Sequence, residues 1–254
     1  MALTELLSGI ALPIFMYHRV APDRADHSTA STIVVRIGDF EKQLSWLAER
    51  GYKFITLAEA AHIIASDRKT TGKYTVITFD DGTVDNYELA YPLLARMGIP
   101  ATFFIVAGRA GGSVDWSRAS SSENSVPLMS WRQIKELAEA GMEIGSHTLT
   151  HTSLPSCTDE VLSREIIESR KVIEDAIGKK VFSFCYPFGE VDGRAARAVR
   201  EAGYRAACTT KRGNRHRPGD LFELKRVPVP SDITIRQFAF RTTLFYHIEH
   251  AIRG

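Results

Sequence analysis

Asp80 and Asp81 stand side by side at the end of Thr75-Val76-Ile77-Thr78-Phe79, and Gly82 follows at once. The run of β-favouring residues reads as a short buried strand closed by a turn. Two adjacent carboxylates at the end of such a strand repel each other and lose solvation, so folding alone does not account for them. A second pair of acid–base groups, His147 and His151, lies four residues apart behind Met142-Glu143-Ile144-Gly145-Ser146. Histidines at that spacing, in a turn of helix or a tight loop, can point the same way, as metal ligands must. Two histidines and one carboxylate form a three-ligand set that leaves a position for water. The other carboxylate, held close by the turn at Gly82, can take the proton of that water, whose pKa a divalent ion lowers towards about 7. These residues point to metal-assisted hydrolysis of a carbonyl compound.

The elements that would position them alternate along the chain. Pro13 to Val20 predicts a buried strand with His18 at its exit. Residues 21–38 read as a loop, β-prone around Ile33-Val34-Val35. Asp39 is the expected N-cap of a helix over 40–50 stopped by Gly51, and Phe54-Ile55 is a short strand. Thr56 caps a helix with Leu57, Ala60, Ala61 and Ile64 inward, and the strand ending at Asp80-Asp81 follows. A helix over 85–97 stops at Gly98, and Ala101 to Val106 is a strand. Residues 108–127 are rich in Gly, Ser and Arg without an apolar period, an insertion loop and candidate lid. Ser130 caps a helix over 131–140, Met142 to His147 is a strand, and a helix covers 158–177. Val181 to Tyr186 is a strand, Asp192 caps a helix ending near Gly203, and Tyr204 to Cys208 is a strand. A basic loop covers 211–220. Leu221 to Val229 is the last strand, and one helix from about 232 to 251 closes the chain. Alternation with short links specifies a parallel α/β sheet, and seven or eight units in 254 residues suggest a (β/α) barrel. An open doubly wound sheet is the runner-up. The length and the lack of a linker suit one catalytic domain over 1–254.

The net charge of +2, from 32 basic and 30 acidic residues, is too balanced to imply nucleic acid. Three widely spaced cysteines (Cys157, Cys185 and Cys208) with no Cys-x-x-Cys give neither a disulfide framework nor a zinc ribbon, so buried free thiols are expected. No run approaches the roughly 20 apolar residues of a membrane helix. Met1 to Pro13 lacks a basic start and a cleavage site. The chain as it stands therefore reads as soluble and cytoplasmic, or periplasmic or secreted if trimmed.

Thr78-Phe79-Asp80-Asp81-Gly82, together with His147-Thr148-x-x-His151, resembles the polysaccharide deacetylases of carbohydrate esterase family 4. Tyr186-Pro187-Phe188-Gly189 looks like the core of that family's third motif. The resemblance covers residues 13 to 230. It implies a distorted (β/α)7-8 barrel, with Asp80 as general base and Asp81, His147 and His151 holding one divalent metal, usually zinc, with cobalt or nickel as alternatives. It also implies that the backbone N–H near Phe188, beside Tyr186 and Pro187, stabilises the oxyanion. Met16-Tyr17-His18-Arg19-Val20 is similar to the circularly permuted poly-N-acetylglucosamine deacetylases of exopolysaccharide systems, in which an early histidine serves as the acid. The resemblance thus makes His18 the acid that protonates the leaving amine and makes an N-acetylated polysaccharide or oligosaccharide the substrate.

Two departures stand out. Cys185 occupies the place of the arginine that contacts the base in the family, and Arg226 is the candidate substitute. The late Leu-x-His motif is not evident; His247 and His250 sit instead on the terminal helix. Weaker substrate candidates are Trp116, in an Asp115-Trp116 pair that comes earlier than the family's, and Asn214. Tyr17 and Trp131 could stack on sugar rings, although core packing is the ordinary role of such side chains. The run Lys211-Arg212-Gly213-Asn214-Arg215-His216-Arg217 concentrates positive charge, by default a solvated loop and otherwise a contact for an anionic polymer or carrier. Two other readings stay open: a metal hydrolase of cyclic imides or ureides, and an inactive carbohydrate-binding module.

Overall fold

The computed structural model describes residues 8–24, 33–66, 71–114 and 126–253. The chain opens with strands β1 (Ile10–Ala11), β2 (Ile14–Tyr17), β3 (Arg19–Ala21) and β4 (Val34–Arg36), then helix α1 (Ile37–Glu49). β5 (Tyr52–Phe54), α2 (Leu57–Ala65) and β6 (Lys73–Phe79) follow. A π-helical turn at Asn86–Ala90 runs into α3 (Tyr91–Met97), and β7 (Thr102–Ile105), α4 (Trp131–Glu139) and β8 (Glu143–Ser146) come next. Then come α5 (Asp159–Ile177), β9 (Ser183–Cys185), α6 (Gly193–Glu201), β10 (Ala206–Arg212), β11 (Arg215–His216) and β12 (Leu224–Pro228). Helices α7 (Ile235–Phe240) and α8 (Leu244–Arg253) end the fold.

Seven strands close on themselves in the order β2-β12-β10-β9-β8-β7-β6, with β6 pairing back to β2. All seven pairings are parallel, so the sheet is a closed parallel barrel. β5 adds an outer strand on the first half of β6, pairing Tyr52–Phe54 with Lys73–Thr75.

Side chains alternate along the barrel strands. Ile14, Val76, Phe104, Cys185, Cys208 and Leu224 join one cluster, and Leu57, Ala60, Ala61 and Ile64 of α2 pack into the same cluster. Their neighbours Phe15, Ile77, Phe103 and Phe184 join the larger layer with α1, α4 and α5. The half-buried Glu143 ties α2 to the barrel, accepting hydrogen bonds from the Ala58 N–H and from the Thr102 and Ser183 hydroxyls.

The expected caps form: Thr56, Ser130, Thr158 and Asp192 each accept a hydrogen bond from a first-turn N–H. Several boundaries differ from the sequence expectation. α1 starts at Ile37 with Arg36 as its N-cap, because β4 runs directly into it, so Asp39 lies inside the first turn. The short strand is Tyr52–Phe54, starting two residues and ending one residue before the expected Phe54-Ile55. The basic segment is not simply a loop. β10 runs on to Arg212, drawn out by its ladder with Arg226, and β11 pairs antiparallel with β1. The terminal helix is broken in two, because the Asn214 amide donates to the carbonyls of Arg241 and Thr243 and the hydroxyls of Thr242 and Thr243 bond back to the end of α7.

Candidate metal and acid–base centre

The ladder sets the height of every candidate. Tyr17 pairs with Phe79, and the Asp80 N–H continues that ladder to the Tyr17 carbonyl at 3.0 Å, so His18 and Asp80 leave the barrel level with each other. Ile105 pairs with Ser146, and the His147 N–H bonds the Ile105 carbonyl at 2.8 Å. Cys185 pairs with Cys208.

The chain beyond these strands is sharply bent. The Gly82 N–H reaches back to the Asp80 carbonyl at 2.9 Å, which turns Asp81 to φ 70°. Thr148, His151 and Phe188 have φ of 67°, 65° and 60°. These four are the only non-glycine residues in the left-handed region among the described residues, and all four lie in this one place. Each such conformation costs roughly 1–3 kcal/mol, and strain of this kind collects where side chains must be aimed.

Asp81, His147 and His151 converge. Asp81 Oδ1 lies 3.3 Å from His151 Nε2 and 3.7 Å from His147 Nε2, and the three donor atoms fall within 4.8 Å of one another. Ligands about 2 Å from a tetrahedral ion sit roughly 3–3.5 Å apart. The spacing therefore suits a small divalent ion. The donors also suit it. His147 Nδ1–H donates to the Cys185 carbonyl at 2.7 Å, which fixes the tautomer and leaves Nε2 with its lone pair facing Asp81. Burial, followed by the neighbouring His151, pushes His147 down to about 4, so it is neutral near pH 7. Burial opposes the charge on Asp81, yet the His151 hydrogen bond and the nearby histidines hold its carboxyl below the ordinary range.

Asp80 is organised differently. It is 2% exposed, and burial alone would raise its pKa. Arg226 overcomes that: Nη1 donates to Oδ1 and Nη2 to Oδ2, both at 2.7 Å, and the carboxyl is held well below the usual range. Arg226 is fully buried and also bonds the Thr209 carbonyl at 2.9 Å and the Thr78 hydroxyl at 3.2 Å. The arginine expected from β9 is thus delivered from β12. Cys185 fills the space beside it, with Sγ 3.2 Å from Nη2. Asp80, His147 and Cys185 also lie close together. Both Asp80 oxygens are engaged by Arg226, however, and burial pushes the Cys185 thiol far up, so this second group does not offer ligands as the first does.

His18 Nε2 lies 3.8 Å from Asp80 Oδ2, partly open to solvent. Its backbone is held by residues the sequence reading did not single out. The Asn86 amide donates to the His18 carbonyl at 2.8 Å. Asp85 accepts from the Val20 N–H and from Arg19 Nε. Both residues open the π-helical turn that follows Gly82. Glu165, also not singled out, is 1% exposed and accepts from the N–H groups of Leu149 and Thr150 and from the Thr150 hydroxyl, all between 2.7 and 2.9 Å. It fixes the loop between the two histidines. Its signal in the sequence is an acid between Leu162 and Ile166, on the apolar face of α5.

Phe188 stacks edge-to-face on His151, with ring centroids 4.7 Å apart, and is 37% exposed. Pro187 and Tyr186 are buried behind it, and the Tyr186 hydroxyl donates to the Phe222 carbonyl. Asn214 lies at the α7–α8 junction, where its amide serves the helix break. Tyr17 is a core residue bonded to Gln43, not a sugar platform, and Trp131 is half-buried against the core. Trp116 lies outside the described residues.

The polysaccharide deacetylase family model matches residues 67–207. YxkH of Bacillus subtilis is 32% identical over 218 residues, which is 86% of this chain and 71% of that protein. The poly-beta-1,6-N-acetyl-D-glucosamine N-deacetylase of Staphylococcus aureus is 27% identical over 177 residues, which is 65% of this chain and 57% of the enzyme's length. The Streptococcus pyogenes deacetylase PplD, solved with acetate, superposes with a TM-score of 0.81 at 21% identity, covering 93% of this chain and all of that one. A seven-strand parallel barrel, the Asp80-Asp81 and His147–His151 pairs at its rim and the matched sequence all lead to one conclusion: the chain belongs to the polysaccharide deacetylase family.

Proposed function

We propose that the protein is a metal-dependent N-deacetylase that hydrolyses the acetamido groups of an N-acetylated amino-sugar polymer or oligomer, acting as one domain over 1–254. The observation that carries this reading is the division of labour between the two aspartates. Asp81 faces two imidazole nitrogens, whereas Asp80 is locked to Arg226 and faces His18. Asp81, His147 and His151 would hold the divalent ion, zinc being the natural choice for an N2O donor set. When bound, such an ion supplies Lewis acidity toward the acetyl carbonyl and the attacking water.

The remaining steps belong to the chain. Asp80, ionised and fixed by two hydrogen bonds, accepts the proton of the attacking water. His18, 3.8 Å from Asp80 Oδ2 and partly open to solvent, donates a proton to the sugar nitrogen as the C–N bond breaks. The backbone of the Tyr186–Phe188 turn, which borders His151, faces the oxygen on which charge develops. Acetate and a free amine leave. The similarity to the Staphylococcus aureus enzyme favours β-1,6-linked N-acetylglucosamine as the polymer. The test is acetate release from N-acetylglucosamine oligomers by zinc-loaded protein. Release that a chelator stops and zinc restores is expected; no acetate from any N-acetylated oligomer would overturn the reading.

A further inference from the structure

The basic run at 211–217 is mostly occupied by structure. Lys211 pairs with Glu223, Arg217 with Asp220, and Arg215 bonds the Gly9 carbonyl at 2.7 Å. Arg212 is different. It makes no side-chain hydrogen bond or ion pair among the described residues, and it lines a cavity of about 400 Å³ between the end of β10 and helices α7 and α8. Arg236 and Arg241 line the same cavity, with Gln237, Phe240, Tyr246, Glu249 and His250. Tyr246 is 3% exposed, and its hydroxyl is buried with no hydrogen-bond partner among the described residues. A buried hydroxyl left unpaired costs roughly 1–3 kcal/mol, so its retention asks for a partner.

Cationic side chains outnumber acidic ones along this cavity, although Arg241 also donates to the Pro228 carbonyl. Three guanidinium groups face one carboxylate, Glu249, for a formal sum of +2. Burial pushes Arg241 down and the nearby Arg212 charge adds to this, while Tyr246 and Asp232 partly offset it. Tyr246 in turn is pushed up by burial and drawn back by Arg241 and Arg212. The three polar ends therefore share one neighbourhood. Guanidinium groups arranged around a hydroxyl are the donors that bind a phosphoryl group, and +2 matches its dianion. The volume is that of a small-ligand pocket, large enough for a phosphate carried on one sugar-sized group. It lies close to the metal and acid–base centre: Arg212 is the ladder partner of Arg226, whose guanidinium holds Asp80.

We propose that this cavity is a phosphoryl-binding site at the barrel rim, separate from the Asp81–His147–His151 cluster, formed by Arg212, Arg236, Arg241 and the Tyr246 hydroxyl. The phosphoryl group can come from a phosphorylated sugar or from the headgroup of an anionic lipid, and the experiment separates the two.

Inorganic phosphate, glucosamine 6-phosphate and phosphatidylglycerol vesicles are titrated against the full chain, by calorimetry for the first two and by co-sedimentation for the third. Phosphatidylcholine vesicles serve as control. The double substitution Arg212→Gln with Arg236→Gln is compared with the native chain, and Tyr246→Phe provides a milder variant that keeps the ring. Saturable binding is expected, weakened about 10-fold or more in the double variant and a few-fold in Tyr246→Phe, because charge-assisted hydrogen bonds are lost. Binding of glucosamine 6-phosphate above phosphate assigns a sugar source, and binding of the vesicles alone assigns a lipid. Acetate release from short neutral oligomers stays unchanged in both variants, which reports separately on the deacetylase site. No saturable binding of any of the three, or equal binding by the double variant, overturns the proposal.

Discussion

Arg226 reaches Asp80 from a strand 146 residues further along the chain, donating to both carboxylate oxygens at 2.7 Å from a fully buried position. The pair fixes Asp80 in one rotamer and keeps it ionised. Replacing Arg226 with Lys leaves a charge but loses the two-pronged geometry. The expected result is a stability loss of about 1–3 kcal/mol from the missing charge-assisted hydrogen bond. The Asp80 carboxyl, depressed in the native protein, rises towards ordinary values. The acid limb of kcat/KM against pH therefore moves to higher pH, and kcat falls. A pH–rate profile with an unmoved acid limb would separate Arg226 from the base.

The cluster of Asp81, His147 and His151 predicts linkage between metal and stability. An ion that binds only the folded chain stabilises it by about 2.7 kcal/mol at 100 times its Kd. Added zinc should raise the melting temperature of the native chain, and one equivalent should remain after dialysis. His147→Ala and His151→Ala should each abolish both effects. Retention of one equivalent in His147→Ala would mean that the ion sits elsewhere.

Cys185 and Cys208 lie inside the barrel, and burial pushes both thiols up, Cys208 to about 12. Neither is a reactive thiolate near neutral pH. A thiol reagent at pH 8 should modify no more than the half-buried Cys157 in the folded protein, and all three cysteines once it is unfolded. Fast labelling of Cys185 in the folded state would contradict its place beside Arg226.

His216, on β11, is fully buried, with Nε2–H donating to the Leu12 carbonyl, and burial pushes it down to about 4. An unfolded histidine titrates near 6.5. Between those values the unfolded chain binds a proton that the folded chain refuses, so stability is full above about pH 6.5 and falls as the pH drops towards 4, by about 3 kcal/mol in total. His216→Gln, which can keep a donor for Leu12, should remove up to one proton from the pH dependence of unfolding in that window. An unchanged slope would show that His216 does not contribute to acid lability.

Much of this arrangement could be read from local patterns. Asp80-Asp81 after a β run and the His147–His151 spacing are short-range signals, and barrel strands deliver both to one rim. The strand–helix alternation that specified a barrel rests on the same kind of signal, together with caps such as Thr56 and Ser130. Arg226 could be named only as a candidate, because its meeting with Asp80 depends on how β12 closes against β2, a non-local pairing with no local signature. Asn86 was invisible for a related reason, since it acts on the distant His18 carbonyl, and Glu165 showed only as an acid on the apolar face of α5, with no sign of its partners at Leu149 and Thr150. Asn214 could be named as a substrate candidate but not placed, since its carbonyl partners at Arg241 and Thr243 lie far along the chain. The same amide explains why one expected helix is two.

The account stands most directly on the separate tasks of the two adjacent aspartates. Asp80→Asn removes a proton acceptor while leaving Asp81, His147 and His151 in place. Acetate release from an N-acetylglucosamine oligomer, measured beside the bound zinc of the same sample, tests this. The expected result is one equivalent of zinc retained and a rate reduced by about 10²–10⁴-fold, the usual worth of a positioned base. Zinc retained with acetate release unchanged, or zinc lost with the Asp80 carboxylate, would contradict the assignment.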